Sequence, residues 1–203
     1  MEAFKTVTGI AAPMMAANVD TDVIMPKQFL KGIDRQGLDR GLFYDLRFLP
    51  DGSENPEFIL NTTAWRGATF LVVGPNFGCG SSREHAVWGM KQLGIRALIG
   101  TSFAGIFNDN CLRNGVLTVC VSEDELRLIA DDIARAESNT LTLNLEDQTL
   151  QTVSHRLPFS VDALKKEMLV NGLDAIGFTL SFKEDILRFE ESYFSANPWH
   201  KTA

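Results

Sequence analysis

The sequence is short of the groups that most often do chemistry. Its 203 residues include three histidines and three cysteines. Cys79, Cys111 and Cys120 are odd in number and far apart, with no Cys-x-x-Cys pair. That argues against a disulfide framework and against a structural zinc site. Positive charge is scarce too. Nineteen Lys and Arg face 26 Asp and Glu, giving a net charge of −7. A general nucleic-acid binder needs basic surface to displace counterions, so that class is excluded. Sixteen glycines and seven prolines are too few for a linker-rich or disordered chain. No apolar run reaches the roughly 18 residues of a membrane span. The stretch from Ala11 to Ala17 is short, holds Pro13 and follows no basic segment, so no signal peptide is expected. A cytoplasmic location is the expectation.

What is present is the make-up of an ordinary globular protein, 45% apolar and 22% charged. A chain of this length buries a real core and reads as one domain over 1–203. Residues 6–12 read as a short strand. Residues 18–31 are irregular, with acidic residues before an apolar run and Pro26. Residues 31–45 carry three glycines among charges, the pattern of a mobile loop or short helices.

From residue 68 the pattern becomes regular. Residues 68–74 are a continuous apolar run, as in a strand buried on both faces. A helix is expected over 82–93, a second buried strand over 97–100, and a helix over 103–113 that Asn114-Gly115 would stop. A third strand follows over 116–121. Ser122 opens a helix to about 137, with Glu125 completing a capping box. Alternating strands and helices argue for right-handed crossovers and a parallel core. Residues 140–145 and 148–153 alternate apolar and polar residues like a hairpin. Helices are expected over 161–171 and 181–194, separated at Asn171-Gly172. The fold class is α/β with some antiparallel elements.

The most informative stretch runs Gly74-Pro75-Asn76-Phe77-Gly78-Cys79-Gly80-Ser81-Ser82-Arg83-Glu84-His85. It follows a buried strand and opens a helix. Such a turn offers unpaired backbone N–H groups and the positive end of the helix dipole, and its glycines let the backbone approach a ligand. That makes an anion site. The stretch matches no phosphate loop, dinucleotide loop or nucleophile elbow. Two hydroxyls and one guanidinium remain, and Arg83 suits a carboxylate because it can bind in a bidentate way. A plainer reading stands beside this one. Ser81 and Glu84 form S-x-x-E, a helix capping box, with Arg83 as a surface charge. His85, one turn into the helix, reads as structural. Cys79 reads as a tight position between two glycines.

At these residues the sequence resembles the small subunit of 3-isopropylmalate dehydratases, equivalent to the swivelling C-terminal domain of aconitases. The string from Asn76 to Ala86 carries the resemblance. The blocks at 18–31, 51–61, 101–115 and 170–180 extend it over nearly the whole chain. The resemblance implies a swivelling β/β/α domain with additional C-terminal helices. It also implies a large partner subunit carrying a [4Fe–4S] cluster, with no cofactor and no metal in this chain. The implied reaction is reversible dehydration and rehydration of a small dicarboxylic acid, 2-isopropylmalate to 3-isopropylmalate, within leucine biosynthesis.

By carry-over, Ser81 is the base that removes a proton from carbon, and Arg83 binds substrate carboxylate and helps the serine ionise. Ser82 is expected to donate a hydrogen bond to substrate. Thr21 and Asp22 match the block that approaches the active site in relatives. Asp20 reads more simply as a turn or N-cap, and Asp20-x-Asp22 lacks partners for magnesium. Arg35 lies in the loop that sets substrate choice in relatives and is expected to face the substrate; a solvated charge is the plainer reading.

The chain departs from many relatives at Val87-Trp88 (Pro-Trp there), at Asn108 (Tyr there) and at residues 165–168 (Arg-Arg-His-Cys there). None of these touches Ser81 or Arg83. They keep open a related small subunit acting on methylmalate/citraconate or dimethylmalate. The alternative from another class is a non-catalytic anion-binding module.

Overall fold

The computed structural model describes residues 1–31 and 35–200. Residues 32–34, within the stretch expected to be a mobile loop or short helices, lie outside the described residues.

The chain opens with strand β1 (Thr6–Met14), two residues longer than its pattern suggests. Helices α1 (Thr21–Ile24) and α2 (Tyr44–Arg47) follow, each a single turn, with three short 3-10 turns around them. Then come β2 (Phe70–Val73), α3 (Glu84–Leu93), β3 (Ala97–Gly100), α4 (Gly105–Asn114), β4 (Leu117–Cys120) and α5 (Glu123–Asp132). The chain continues with β5 (Thr140–Asn144), β6 (Thr149–Gln151), β7 (Arg156–Pro158), α6 (Ala163–Asn171), α7 (Ala175–Leu180) and α8 (Lys183–Ala196).

The strands form one seven-stranded sheet in the order β4-β3-β2-β1-β5-β6-β7. It changes character at β1. On one side β1 pairs in parallel with β2, Ala11 opposite Phe70, and β2, β3 and β4 continue in parallel. On the other side β1 pairs antiparallel with β5, Val7 opposite Leu143, and β5, β6 and β7 form a meander. The parallel core and the 140–153 hairpin follow the sequence pattern. Strand β7 does not, being three residues ending in Pro158.

The central strands read as unbroken apolar runs because both faces are covered. Side chains alternate across a strand. Phe70 and Val72 therefore join one core with Ile99, Val119, Leu126, Ile129, Leu141 and Leu143. Leu71 and Val73 join a second core with Ile24, Leu42, Phe77, Met90, Phe107 and Cys111. Helices α3 and α4 thus lie on one face and α5 on the other. Each fully buried aliphatic or aromatic side chain contributes about 1.5–3 kcal/mol.

The helix boundaries have local causes. Ser122 caps α5 with its hydroxyl on the Glu125 N–H, and the Glu125 side chain returns to Ser122, so the expected capping box forms. Gly115 ends α4 and Gly172 ends α6, both left-handed. Helix α5 stops at Asp132, short of 137, and α4 starts two residues later than expected. Helix α7 was not legible; Asp174 starts it by accepting from the Gly177 N–H at 2.7 Å. Helices α7 and α8 bury no residue.

Candidate active site

Three chain segments meet at the carboxyl ends of the parallel strands, where ligands bind in open α/β sheets. The segment after β1 descends to Asp20, the Gly-rich turn follows β2, and residues 101–105 follow β3. Backbone hydrogen bonds lace them together. The Asn18 N–H donates to the Pro75 carbonyl at 2.9 Å, Gly78 to Val19 at 2.8 Å and Thr21 to Cys79 at 2.9 Å. On the other side Phe77 donates to Ser102 at 3.3 Å and Ala104 to Phe77 at 3.0 Å. The turn is therefore an extension of the sheet, bounded by bridges Asp20–Cys79 and Phe77–Phe103.

The glycines explain how the turn is packed. Gly78 has φ +77°, and a Cβ there would lie 2.2 Å from the Phe107 ring. Phe77, fully buried, meets the Phe107 ring edge-on with centroids 5.7 Å apart. The turn is seated on an aromatic pair from α4, and no larger residue fits at 78.

The Ser81–Glu84 capping box does not form. Helix α3 begins at Glu84, with Arg83 as an extended N-cap that makes no side-chain cap hydrogen bond. Glu84 accepts instead from Asn114 Nδ2 at 2.8 Å, and Asn114 Oδ1 accepts from Trp88 Nε1 at 3.0 Å. A partner 30 residues away has captured the carboxylate that the local motif would have used. The first-turn N–H groups of α3 are left without a side-chain cap.

Ser81, Ser82 and Arg83 line one cleft of about 130 Å³ with Thr21, Gly78 and Gly80. Its far wall is the start of α4: Ala104, Gly105, Ile106 and Phe107. Helix α4 also lacks a side-chain cap, its N-cap being Ala104. Both serines are exposed, and neither hydroxyl has a hydrogen-bond partner among the described residues. Thr21 is buried and donates its hydroxyl to the Ser81 carbonyl at 2.8 Å, which fixes the backbone beneath the serine.

Arg83 is not a surface charge. Its side chain is 9% exposed, and Nη1 reaches Asp22 at 2.5 Å and the Met25 carbonyl at 3.3 Å. Nε and Nη2 remain uncommitted among the described residues. The Arg83 hydrogen bond holds the Asp22 carboxyl below the usual carboxylate range; slight desolvation opposes this, and the charges of Arg83 and Lys27 add to it. Asp22 thus faces Arg83, while Asp20 caps α1 by accepting from the Val23 N–H at 2.8 Å.

Arg35 is not brought into the cleft. Its guanidinium lies over the Trp88 ring, 4.2 Å from the centroid, and its carbonyl accepts from Gln92 Nε2. Gln92 Oε1 also accepts from the Leu38 N–H at 2.8 Å, so α3 pins this segment against its flank. The start of α4 is a part of the site that sequence reasoning missed. Its signal was the run 101–105, mostly small residues directly after a buried strand at the same sheet end. His85 lies 4.7 Å from the Trp88 ring, centroid to centroid, as part of helix packing.

The residues present do not fit a metal cluster. Among the described residues no three His, Cys, Asp or Glu side chains assemble. Cys111 is buried in the core and its thiol is pushed up by desolvation; Cys120 is exposed on β4, and Cys79 sits in the turn. Another groove, of about 160 Å³ between β4 and α6, includes Cys120 and Lys165 but no residue of the turn.

The architecture has known counterparts. Residues 1–124 match the Aconitase C-terminal domain family. The fold resembles a crystal structure of 3-isopropylmalate dehydratase from Methanocaldococcus jannaschii, with TM-score 0.66 at 24% identity, covering 92% of this chain and 99% of that one. In sequence, the chain is 69% identical to 3-isopropylmalate dehydratase small subunit 1 of Mannheimia succiniciproducens, over 99% of this chain and 100% of that protein. It is 55% identical to small subunit 2 of Salmonella typhimurium, over 99% and 97%. The chain belongs to the small-subunit family of 3-isopropylmalate dehydratases.

Proposed function

We propose that this chain is the small subunit of a two-chain hydro-lyase that interconverts 2-isopropylmalate and 3-isopropylmalate in leucine biosynthesis. Its 203 residues act as one swivelling unit, and a large subunit supplies the [4Fe–4S] cluster that the residues here do not fit. No helix among the described residues is long and apolar enough to cross a membrane, and a cytoplasmic location fits a biosynthetic enzyme.

The observation that carries the reading is the cleft at the start of α3. It places an unpartnered serine hydroxyl, uncapped helix N–H groups and a largely buried guanidinium side by side. A serine alkoxide is a costly base in water. A helix N-terminus and a nearby Arg83 stabilise it through preorganised positive potential. Ser81 Oγ takes the proton from carbon, and Arg83 offers Nε and Nη2 to a substrate carboxylate. Ser82 donates a hydrogen bond to the same ligand. Asp22 orients Arg83 through Nη1, and Thr21 anchors the serine backbone. The groups that assist the departing hydroxyl come from the large subunit.

The test is co-expression with a large subunit, followed by assay on 2-isopropylmalate, citramalate-type acids and dimethylmalate. Isopropylmalate is the expected best substrate. Ser81→Ala should abolish turnover and leave assembly intact; near-normal turnover in that variant would refute the assigned base.

A further inference from the structure

We infer that the helical arm α7–α8 is the docking element for the large subunit, seated in an apolar groove with a basic rim on that chain. The inference rests on the two-chain hydro-lyase reading above and names the surface through which this chain joins its partner.

The arm is apolar on a face that the rest of the chain leaves open. Helices α7 and α8 bury no residue, and among the described residues α8 packs closely only against the turn Pro198–His200 at its own end. Phe182, Ile186, Phe189 and Tyr193 recur at spacings of four, three and four, which sets them along one side of α8. Phe189 is 67% exposed, and Ile176 on α7 and Trp199 in the terminal turn are more exposed still. Ring contacts join the stripe from end to end. Phe178 meets Phe182, Phe189 stacks on Tyr193, and Tyr193 stacks on His200 beside Trp199. An aromatic side chain carries about 150–250 Å², so the arm offers on the order of 700 Å² of apolar surface, near the roughly 800 Å² per partner of a stable interface. A monomer rarely leaves a patch of that size in water.

The occupant follows from where the arm lies in the chain. The Aconitase C-terminal domain match ends at residue 124, and α7 and α8 lie beyond it. The relatives named as small subunits align over nearly all of this chain, arm included. A C-terminal domain is tethered to the rest of its protein by the chain itself, whereas a small subunit is not. A tether holds two units at high effective concentration; without one, the same proximity has to come from contact surface. Charge narrows the choice. Helix α8 carries four acidic residues against two basic ones. That excess favours a groove with a basic rim and works against two small subunits meeting through α8.

The test titrates the full-length small subunit against purified large subunit by calorimetry, with turnover of 2-isopropylmalate followed in parallel. Phe189→Ala should raise Kd by about 10-fold or more, as loss of an aromatic anchor does. Phe189→Leu should restore most of the affinity. Val153→Ala, at an equally exposed apolar residue on the β6–β7 turn, should leave Kd unchanged. Helix α8 lies outside the cleft, so kcat in Phe189→Ala should recover once large subunit is in excess. Thermal melts of the isolated variants should match the unaltered chain. An unchanged Kd in Phe189→Ala overturns the inference. So does an isolated small subunit that self-associates and loses that association in Phe189→Ala, which would make a second copy the occupant. A complex that forms through the arm but turns over no malate-type acid refutes the hydro-lyase reading alone and leaves the docking surface standing.

Discussion

Two glycines of the site turn differ in what surrounds them, and that difference sets two stabilities apart. Gly78 and Gly80 both have positive φ, +77° and +89°. An alanine at either position pays the left-handed backbone penalty of about 1–2 kcal/mol. At Gly80 the nearest atom to a new Cβ is 3.4 Å away, on the Asp20 side chain, so little is added. At Gly78 the new Cβ would sit 2.2 Å from Phe107 Cγ. Phe107 is buried and meets Phe77, so it cannot swing away cheaply. Overpacking a filled core costs about 1–3 kcal/mol more. Gly80→Ala should therefore cost about 1–2 kcal/mol and Gly78→Ala about 2–5 kcal/mol. For a chain of this size each kcal/mol lowers Tm by about 2–4 °C. Equilibrium denaturant unfolding measures both, and an unchanged m-value would show a loss of stability with no change in the surface exposed on unfolding. Equal losses, or a larger loss at Gly80, would refute the packing argument.

Asp22 provides a pH test. Its folded-state pKa is depressed, so the stability from its ion pair is present above the ordinary carboxylate range and is lost as pH falls through the lower folded-state value. Carboxyl NMR titration should show Asp22 ionised at lower pH than an ordinary aspartate, and Arg83→Ala should bring the titration back up; no change on removing Arg83 would contradict the pairing. Asn114→Ala removes hydrogen bonds to Glu84 and Trp88 and should destabilise the chain by about 1–3 kcal/mol, with altered Trp88 fluorescence.

Much of this arrangement was legible in the sequence because its causes are local. The strands at 70–73 and 97–100 are buried on both faces, and such burial writes itself as a continuous apolar run. Ser122 and Glu125 cap a helix because both partners lie within one turn. The identical spacing at Ser81 and Glu84 does not cap, because Asn114 competes from another helix. Arg35 lies on Trp88 for the same reason: a ring one helix away decides its place. The far wall of the cleft was missed because 103–113 showed only helical character. What brings the start of α4 into the same cleft as Ser81 is the shared carboxyl end of β2 and β3, a matter of topology. Helix α7 and strand β7 escaped because each is short and buries little.

Of the seven strands β1 comes first along the chain, yet it lies at the centre of the sheet. Its partners are Phe70–Val73 on one side and Thr140–Asn144 on the other. At typical synthesis rates of about 5–20 residues per second, the second partner emerges on the order of 10 s after β1. Until then β1 exposes one edge of unpaired N–H and carbonyl groups on the nascent chain. The same order governs the site, whose three segments need the parallel half of the sheet already assembled. The cleft therefore depends on β1, β2 and β3 and not on the antiparallel half. A pause or truncation before β5 would leave an adhesive half-sheet on the ribosome.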